Sequence, residues 1–208
     1  LRKSEYASEE IQSIYFGGGT PTVLEVSELE VILQTVYAHY NVSDAAEITL
    51  EANPDDLDEE KIKALSNTKI NRLSIGIQSF HESDLSAMNR AHNADEAKKC
   101  LEISTTYFDN ITIDLMFGMP TMSVAQWRQN LQTAFGFGIK HLSCYALTVE
   151  PKTALEHFIK KGNHPPMDDE LAAKHFEVLL QETATQGLTH YETCSFGHPD
   201  YFSRHNTS

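Results

Sequence analysis

Strand-like and helix-like patterns alternate along this chain with a repeat of roughly thirty residues, and nothing else in the sequence limits the fold so tightly. Apolar or alternating runs at 11–16, 47–52, 72–78, 110–117 and 141–149 read as strands. Helical stripes at 27–40, 57–65, 94–107 and 124–135 lie between them, and a longer one at 168–185 precedes a short strand at 189–195. Ser27 followed by Glu30 reads as a capping box, with Leu29, Ile32, Leu33 and Val36 as the stripe behind it. Asn53-Pro54, Gly118 with Pro120, Gly136 with Gly138, and Gly187 end successive elements. Repeated strand–helix units imply a parallel sheet. Right-handed crossovers leave such a sheet open, with helices on both faces, or curl it into a barrel.

The two faces of the strands decide between these. Ile14 and Phe16, Ile48 and Leu50, Leu73, Ile75 and Ile77, and Ile111, Ile113 and Leu115 share one parity and form an apolar face for the helices. The other face carries Ser13, Tyr15, Thr49, Glu51, Ser74, Gly76, Gln78, Thr112, Asp114, Ser143 and Tyr145. An open doubly wound sheet is apolar on both sides. A closed (β/α) barrel fills its lumen with Val, Ile and Leu. A small, polar second face fits a wide or incomplete barrel whose lumen holds a polar ligand.

At 208 residues one domain is the default. A formal net charge of −14 argues against a nucleic-acid partner or an anionic membrane surface. No run is apolar enough to span a bilayer, and no signal peptide is visible. Three widely spaced cysteines, Cys100, Cys144 and Cys194, match no local zinc or iron–sulfur motif and fit a reducing, cytoplasmic setting. The polar stretch at 1–10 reads as the tail of an earlier element, and the abrupt Leu1 as the start of a piece of something longer.

Gly17, Gly18 and Gly19 follow the first strand directly, and Thr20-Pro21 closes the loop they form. Glycines leave no Cβ to hold a ligand off the backbone, and Pro21 should stiffen the far side by restricting Thr20. Loops after parallel strands are where α/β folds bind small molecules. There is neither a Gly-x-Gly-x-x-Gly fingerprint nor a following Lys-Ser/Thr pair, so this is not one of the familiar phosphate loops. Glu51, Gln78 and Asp114 stand near the carboxyl ends of three strands on the polar face, a set able to hold hydroxyls or an amino group. Arg90 suits a ligand carboxylate.

Gly17-Gly18-Gly19-Thr20-Pro21, Glu51-Ala52-Asn53-Pro54, the run from Arg72 through Gly76 and Gln78 to Phe80, the run from Ile113 through Asp114 to Pro120, and Ser203-Arg204-His205-Asn206 occur in that order. Together they resemble the radical S-adenosylmethionine family of oxygen-independent coproporphyrinogen III oxidases, from about Ile11 to the end. The Glu-Ala-Asn-Pro, Ser-Ile-Gly-Ile-Gln-Ser-Phe and Ser-Arg-His-Asn versions look like its haem-chaperone branch. The resemblance implies an incomplete radical-SAM core, a partial (β/α) barrel of parallel strands with an extra C-terminal edge strand. It implies S-adenosylmethionine as cofactor, with Gly18, Gly19 and Thr20 at its methionine amino group and Glu51, Gln78, Arg90, Asp114 and Ala146 as further contacts. His205 and Asn206 would begin a His-Asn-x-x-Tyr-Trp haem motif.

In such proteins a [4Fe–4S] cluster reduces the sulfonium, and the radical released oxidises a porphyrinogen propionate. The family's Cys-x3-Cys-x2-Cys loop is absent here, so the expectation is a core lacking the first strand, the cluster loop and the C-terminal domain, with any cluster confined to the intact parent. Two readings of the parent stand side by side: porphyrinogen oxidation, or haem binding and transfer without it. A part-barrel isomerase or aldolase would want a lysine or a metal set in the lumen, but Lys3, Lys61 and Lys63 fall on helices or tails. Without the first strand, 11–16 should be the sheet edge and open to self-association.

Overall fold

The computed structural model describes residues 9–207, so the expected N-terminal tail and Lys3 lie outside the described residues. In chain order the elements are β1 (Glu10–Phe16), α1 (Val26–His39), β2 (Asn41–Ala52), α2 (Glu59–Ser66), β3 (Arg72–Gln78), α3 (Glu82–Ala87), α4 (Ala94–Tyr107) and β4 (Ile111–Phe117). Then follow α5 (Val124–Gly136), β5 (His141–Ala146), α6 (Ala154–Lys160), α7 (Asp169–Thr185), β6 (Thr189–Glu192), β7 (Ser195–Gly197) and α8 (Arg204–Thr207). The strands form a single curled sheet, a half-barrel in the order β1-β2-β3-β4-β5-β7-β6. Its first five strands are parallel and in sequence order. β1 holds the edge among the described residues, as expected.

Four local readings differ from the structure. The strand read at 189–195 is a hairpin, β6 turning into β7, and β7 runs antiparallel to β5. The Glu192 carboxylate drives the reversal by accepting from the Cys194 N–H (3.2 Å) and the Ser195 hydroxyl (3.0 Å). α1 starts before Ser27: Glu25 is the N-cap, and the Glu28 carboxylate takes its N–H at 2.9 Å. β2 begins six residues before the expected Glu47, because a bulge lets Asn41 and Val42 pair with Glu10 and Ile11 ahead of the main register. β5 stops at Ala146 rather than continuing to Val149.

The apolar parity packs as the alternation implies. Ile48, Leu50, Leu73, Ile75, Ile113 and Leu115 are all 2% exposed or less and meet Leu29, Ile62, Leu101, Trp127 and Leu131 from the helices. Each such side chain contributes about 1.5–3 kcal/mol by leaving water. Trp127 is fully buried and its indole N–H reaches the His175 carbonyl at 2.8 Å, which fixes α5 against α7.

The concave face is lined by polar groups that are buried yet bonded. At the amino ends of the strands Arg72 is 1% exposed and donates to Thr112 Oγ1 (2.5 Å), Asn110 Oδ1 (2.7 Å) and the Tyr201 carbonyl (3.1 Å), with Glu47 at 3.4 Å. Thr112, having accepted from Arg72, donates to His141 Nδ1 (3.0 Å), so His141 Nε2 carries the proton that reaches Tyr191 (2.6 Å). Burial and the nearby Arg72 charge push the His141 pKa down to about 3, consistent with a neutral ring. The Ser203 N–H bonds the same Tyr191 oxygen and the Arg204 N–H bonds Glu47 Oε1. The segment at 201–204 thereby floors the lumen.

Candidate functional site

At the opposite, carboxyl ends of the strands the glycine loop is exposed and turns through three successive left-handed residues, Gly18 (φ 76°), Gly19 (φ 62°) and Thr20 (φ 61°). Glycine adopts that conformation freely, whereas a β-branched threonine does so under strain. Pro21 thus does not hold Thr20 extended, as the sequence suggested. Asn53 holds it instead, donating from Nδ2 to Thr20 Oγ1 at 3.1 Å. The other face of the same amide accepts from Arg90 Nη2 at 2.6 Å, and Arg90 also bonds the Gly76 carbonyl at 3.2 Å.

Glu51 anchors the near side of the loop. Its carboxylate accepts from the Gly18 N–H (3.0 Å) and the Tyr15 hydroxyl (2.7 Å). Gly17 is needed for this approach: a Cβ there would stand 2.7 Å from Tyr15 Cε1 and 3.0 Å from Glu51 Oε1. Gly17→Ala is therefore expected to destabilise the fold by about 1–3 kcal/mol, the usual cost of overpacking, and to change tyrosine fluorescence by displacing the Tyr15 ring. Unchanged denaturation and emission would show that the loop moves aside freely. Gly76 plays a similar part in β3, where a Cβ would crowd Gln78 Nε2, Arg90 Nη2 and Asn53 Oδ1 at 3.1–3.3 Å.

Asp114, half-buried on β4, lines a small polar lumen cavity of about 70 Å³ with Tyr15, Glu51, Ser74, Tyr145 and Asn206. Burial and then the Glu51 charge push its pKa up to about 7, against the opposing pull of the Ser143 hydroxyl and Arg90. The Tyr145 phenol is pushed up to about 12 by burial and by Asp114. Tyr15 is likewise raised by burial and its bond to Glu51. Gln78 ends β3 at a bulge with φ 65° and, with Arg90, lines a wider cleft of about 480 Å³ over the ends of β3 and β4. Ala146 is the exposed last residue of β5, opposite Phe117. In the tail, the His205 ring stacks on Tyr15 with centroids 4.3 Å apart, and Asn206 donates to Ser195 Oγ at 3.0 Å.

Glu51 thus bonds Gly18 and Tyr15, Asn53 joins Thr20 to Arg90, and the loop Gly17, Gly18, Gly19 and Thr20 ties the two bonded sets together. Asp114 and Asn206 share the lumen with Glu51, and Gln78 shares the cleft with Arg90. The sequence reads Asn53 as a strand breaker and as part of the Glu-Ala-Asn-Pro motif without a role of its own, and gives Arg72 and His141 no part in the site. Parity marks Arg72, which lies on the same face of β3 as Ser74, Gly76 and Gln78; the double role of Asn53 leaves no such trace.

The bonded set suits S-adenosylmethionine. It offers a backbone cradle with no Cβ, carboxylates for an amine or hydroxyls, and an arginine for a carboxylate. An iron–sulfur cluster does not fit the described residues. Burial raises the Cys100 thiol to about 11, Cys144 well above its ordinary range, and Cys194 as well. Cys100 lies on α4, Cys144 on β5 and Cys194 in the β6–β7 turn, and among the described residues no three His, Cys, Asp or Glu side chains are placed to hold a metal.

The sequence profile of the radical SAM superfamily matches residues 1–134. The chain is 34% identical over 201 residues to the heme chaperone HemW of Bacillus subtilis, covering 95% of this chain and 52% of that protein. It is 32% identical over 199 residues to radical S-adenosyl methionine domain-containing protein 1, mitochondrial, of Mus musculus, covering 95% and 45%. The chain therefore spans about half the length of the curated relatives it matches. The structure of the Escherichia coli coproporphyrinogen III oxidase HemN superposes with a TM-score of 0.82 at 21% identity, over 96% of this chain and 46% of that one, and so shares the fold. By its profile match and its half-barrel this chain belongs to the radical SAM superfamily, and it fits the haem-chaperone branch.

Proposed function

We propose that this chain is the S-adenosylmethionine-binding core of a haem chaperone, a protein that binds haem and passes it on without oxidising porphyrinogens. The observation that carries the cofactor half is the bonded set at the strand ends, where Glu51 and Asn53 hold the glycine loop and Arg90 in one constellation. In this reading Gly17, Gly18, Gly19 and Thr20 receive the methionine amine, with Glu51, Gln78, Arg90, Asp114 and Ala146 around the rest of the cofactor. Bound there, S-adenosylmethionine supplies radical chemistry once a cluster is provided by residues outside the described set. The protein's own part is to orient it and exclude water.

Named heme chaperones at 31–34% identity support the haem half over porphyrinogen oxidation, since the oxidase likeness is one of fold. Among the described residues no helix is long and apolar enough to cross a membrane. Three free cysteines among the described residues suit a reducing cytoplasm as the place of action.

Above pH 7, where Asp114 is ionised, Glu51→Ala and Asp114→Ala are each expected to weaken S-adenosylmethionine binding by about 1.5–3 kcal/mol, the range for hydrogen bonds to charged groups. Isothermal titration calorimetry reads this directly, and unchanged affinity in both variants would remove the carboxylates from the cofactor site. Haem transfer to an acceptor without decarboxylation of coproporphyrinogen III is the result expected of the chaperone. Decarboxylated product would restore the oxidase reading.

A further inference from the structure

Two of the three cysteines meet across the sheet. β5 and β7 run antiparallel, with Leu142 opposite Phe196 and Ser143 opposite Ser195. One step further the same register sets Cys144 opposite Cys194, and the Cys144 N–H reaches the Cys194 carbonyl at 2.8 Å. Ser143 lines the lumen cavity, whereas Leu142, Cys144 and Phe196 lie in the hydrophobic core. Side chains alternate across a sheet, so both thiols belong to the core side. The Cys194 charge helps to hold the Cys144 thiol above its ordinary range, as two sulfurs in electrostatic reach of each other require. Cys100 has no part in this, for it lies on α4 against Ser104.

Opposed residues that share a backbone hydrogen bond stand about 5.5 Å apart between Cα atoms, within the span of about 4.4–6.8 Å that a disulfide bridges. Their Cβ atoms lie about 4.5–5.5 Å apart, and a disulfide wants about 3.5–4.5 Å. The remaining approach of about 1 Å falls to Cys194, which sits in the β6–β7 turn rather than in a strand. Access differs between the two. Cys194 is half-buried and Cys144 is 3% exposed, so a small reagent meets Cys194 first.

We propose that Cys144 and Cys194 are a redox-active pair that closes into an internal disulfide at the expense of a small disulfide such as oxidised glutathione, and reopens with a thiol. The Cys194 thiolate, its proton given to water, attacks one glutathione sulfur, and the other glutathione leaves as a thiolate. The Cys144 thiolate then attacks Cys194 Sγ and expels the second glutathione. The two protein thiols lose two electrons and two protons, and one glutathione disulfide becomes two glutathione thiols. Burial keeps thiolate scarce at both positions, which makes the exchange slow in the folded state. A slow, reversible bond of this kind is the form in which disulfides serve a reducing compartment. It would tie β5 to the hairpin whose Tyr191 and Ser195 hold Ser203 and Asn206, each at 3.0 Å. Oxidation thereby fastens the floor of the lumen, and neither S-adenosylmethionine nor haem is needed for it.

Mass spectrometry tests the pair on reduced protein treated with excess oxidised glutathione, quenched in acid, unfolded and alkylated with N-ethylmaleimide. Labelling should fall from three thiols to one, leaving Cys100 labelled and a peptide pair joined through Cys144 and Cys194. Dithiothreitol should restore all three. The oxidised protein should melt about 4 °C or more above the reduced one, as expected of a bond closing a loop of 50 residues. Cys194→Ser should keep both of its thiols labelled, and Cys144→Ala should stop at a mixed glutathione disulfide on Cys194. Wild-type protein that stops there too, that links Cys100, or that keeps three labelled thiols would overturn the pair, whether or not the variants fold. A melting midpoint that stays or falls on oxidation would show that the fold must distort to make the bond, and would overturn the site as a native one.

Discussion

Arg72→Met is expected to cost about 3–5 kcal/mol of stability, the penalty for breaking a buried ion pair by removing one partner. Arg72 is 1% exposed and serves four acceptors at once, so its loss strands Glu47, Asn110 and the Tyr201 carbonyl and frees Thr112 from the chain that orders His141. Methionine matches the stem but donates nothing. Urea denaturation at neutral pH measures the loss. Pairing it with Glu47→Leu should recover part of it, because two apolar groups of similar volume remove the orphaned charge as well. A single-variant cost below about 1 kcal/mol, the level of an exposed pair, would mean that water enters the lumen floor freely.

Asp114→Asn should have the opposite effect, and only above acidic pH. The folded state holds the Asp114 proton up to about pH 7, whereas the unfolded chain releases it near the ordinary carboxylate value of 3.8. Between those values the native state binds more protons than the unfolded one, so this group lowers stability progressively as pH rises from about 4 to 7. Asparagine removes that penalty. The variant should match wild type near pH 4 and exceed it above pH 7 by on the order of 2–4 kcal/mol, after allowance for screening at a partly open position. Thermal melts across that range decide it, and a difference independent of pH would show that Asp114 is not held protonated by the fold. A gain in stability there at the expense of ligand binding is the pattern expected of a carboxylate kept for function.

The strands and their two faces were legible in the sequence because alternation is a local signal, and every parallel strand carries it. Leu73, Ile75 and Ile77 against Ser74, Gly76 and Gln78 are enough to separate helix side from lumen. The helices at 94–107 and 124–135 also read clearly, and the structure gives them capping boxes at Asn93 and Ser123 that the sequence reading did not use. The short helices were not legible. α3, α6 and α8 have 6, 7 and 4 residues, too few for a stripe to repeat. The glycine loop announced itself by composition, yet what holds it, Asn53 and Glu51 acting from the end of the next strand, depends on a register that the sequence does not print. Likewise the hairpin at Glu192 turns on one carboxylate capping its own reversal, a contact that a strand-like run of residues hides.

The segment that floors the lumen also sets an order of events. The Arg204–Glu47 bond joins residues 157 apart and the Arg72–Tyr201 bond residues 129 apart, among the longest loops this chain closes. Contacts of that separation cost chain entropy before they return any stabilisation, so they form late in folding. On a ribosome the five parallel strands emerge and can pair while the residues that seal them are still unmade. Until then Arg72 and Glu47 remain hydrated, and the half-barrel is a wet trough. The segment at 201–204, made after those strands, is the one that turns it into an enclosed, low-dielectric lumen in which an aspartate holds its proton up to about pH 7.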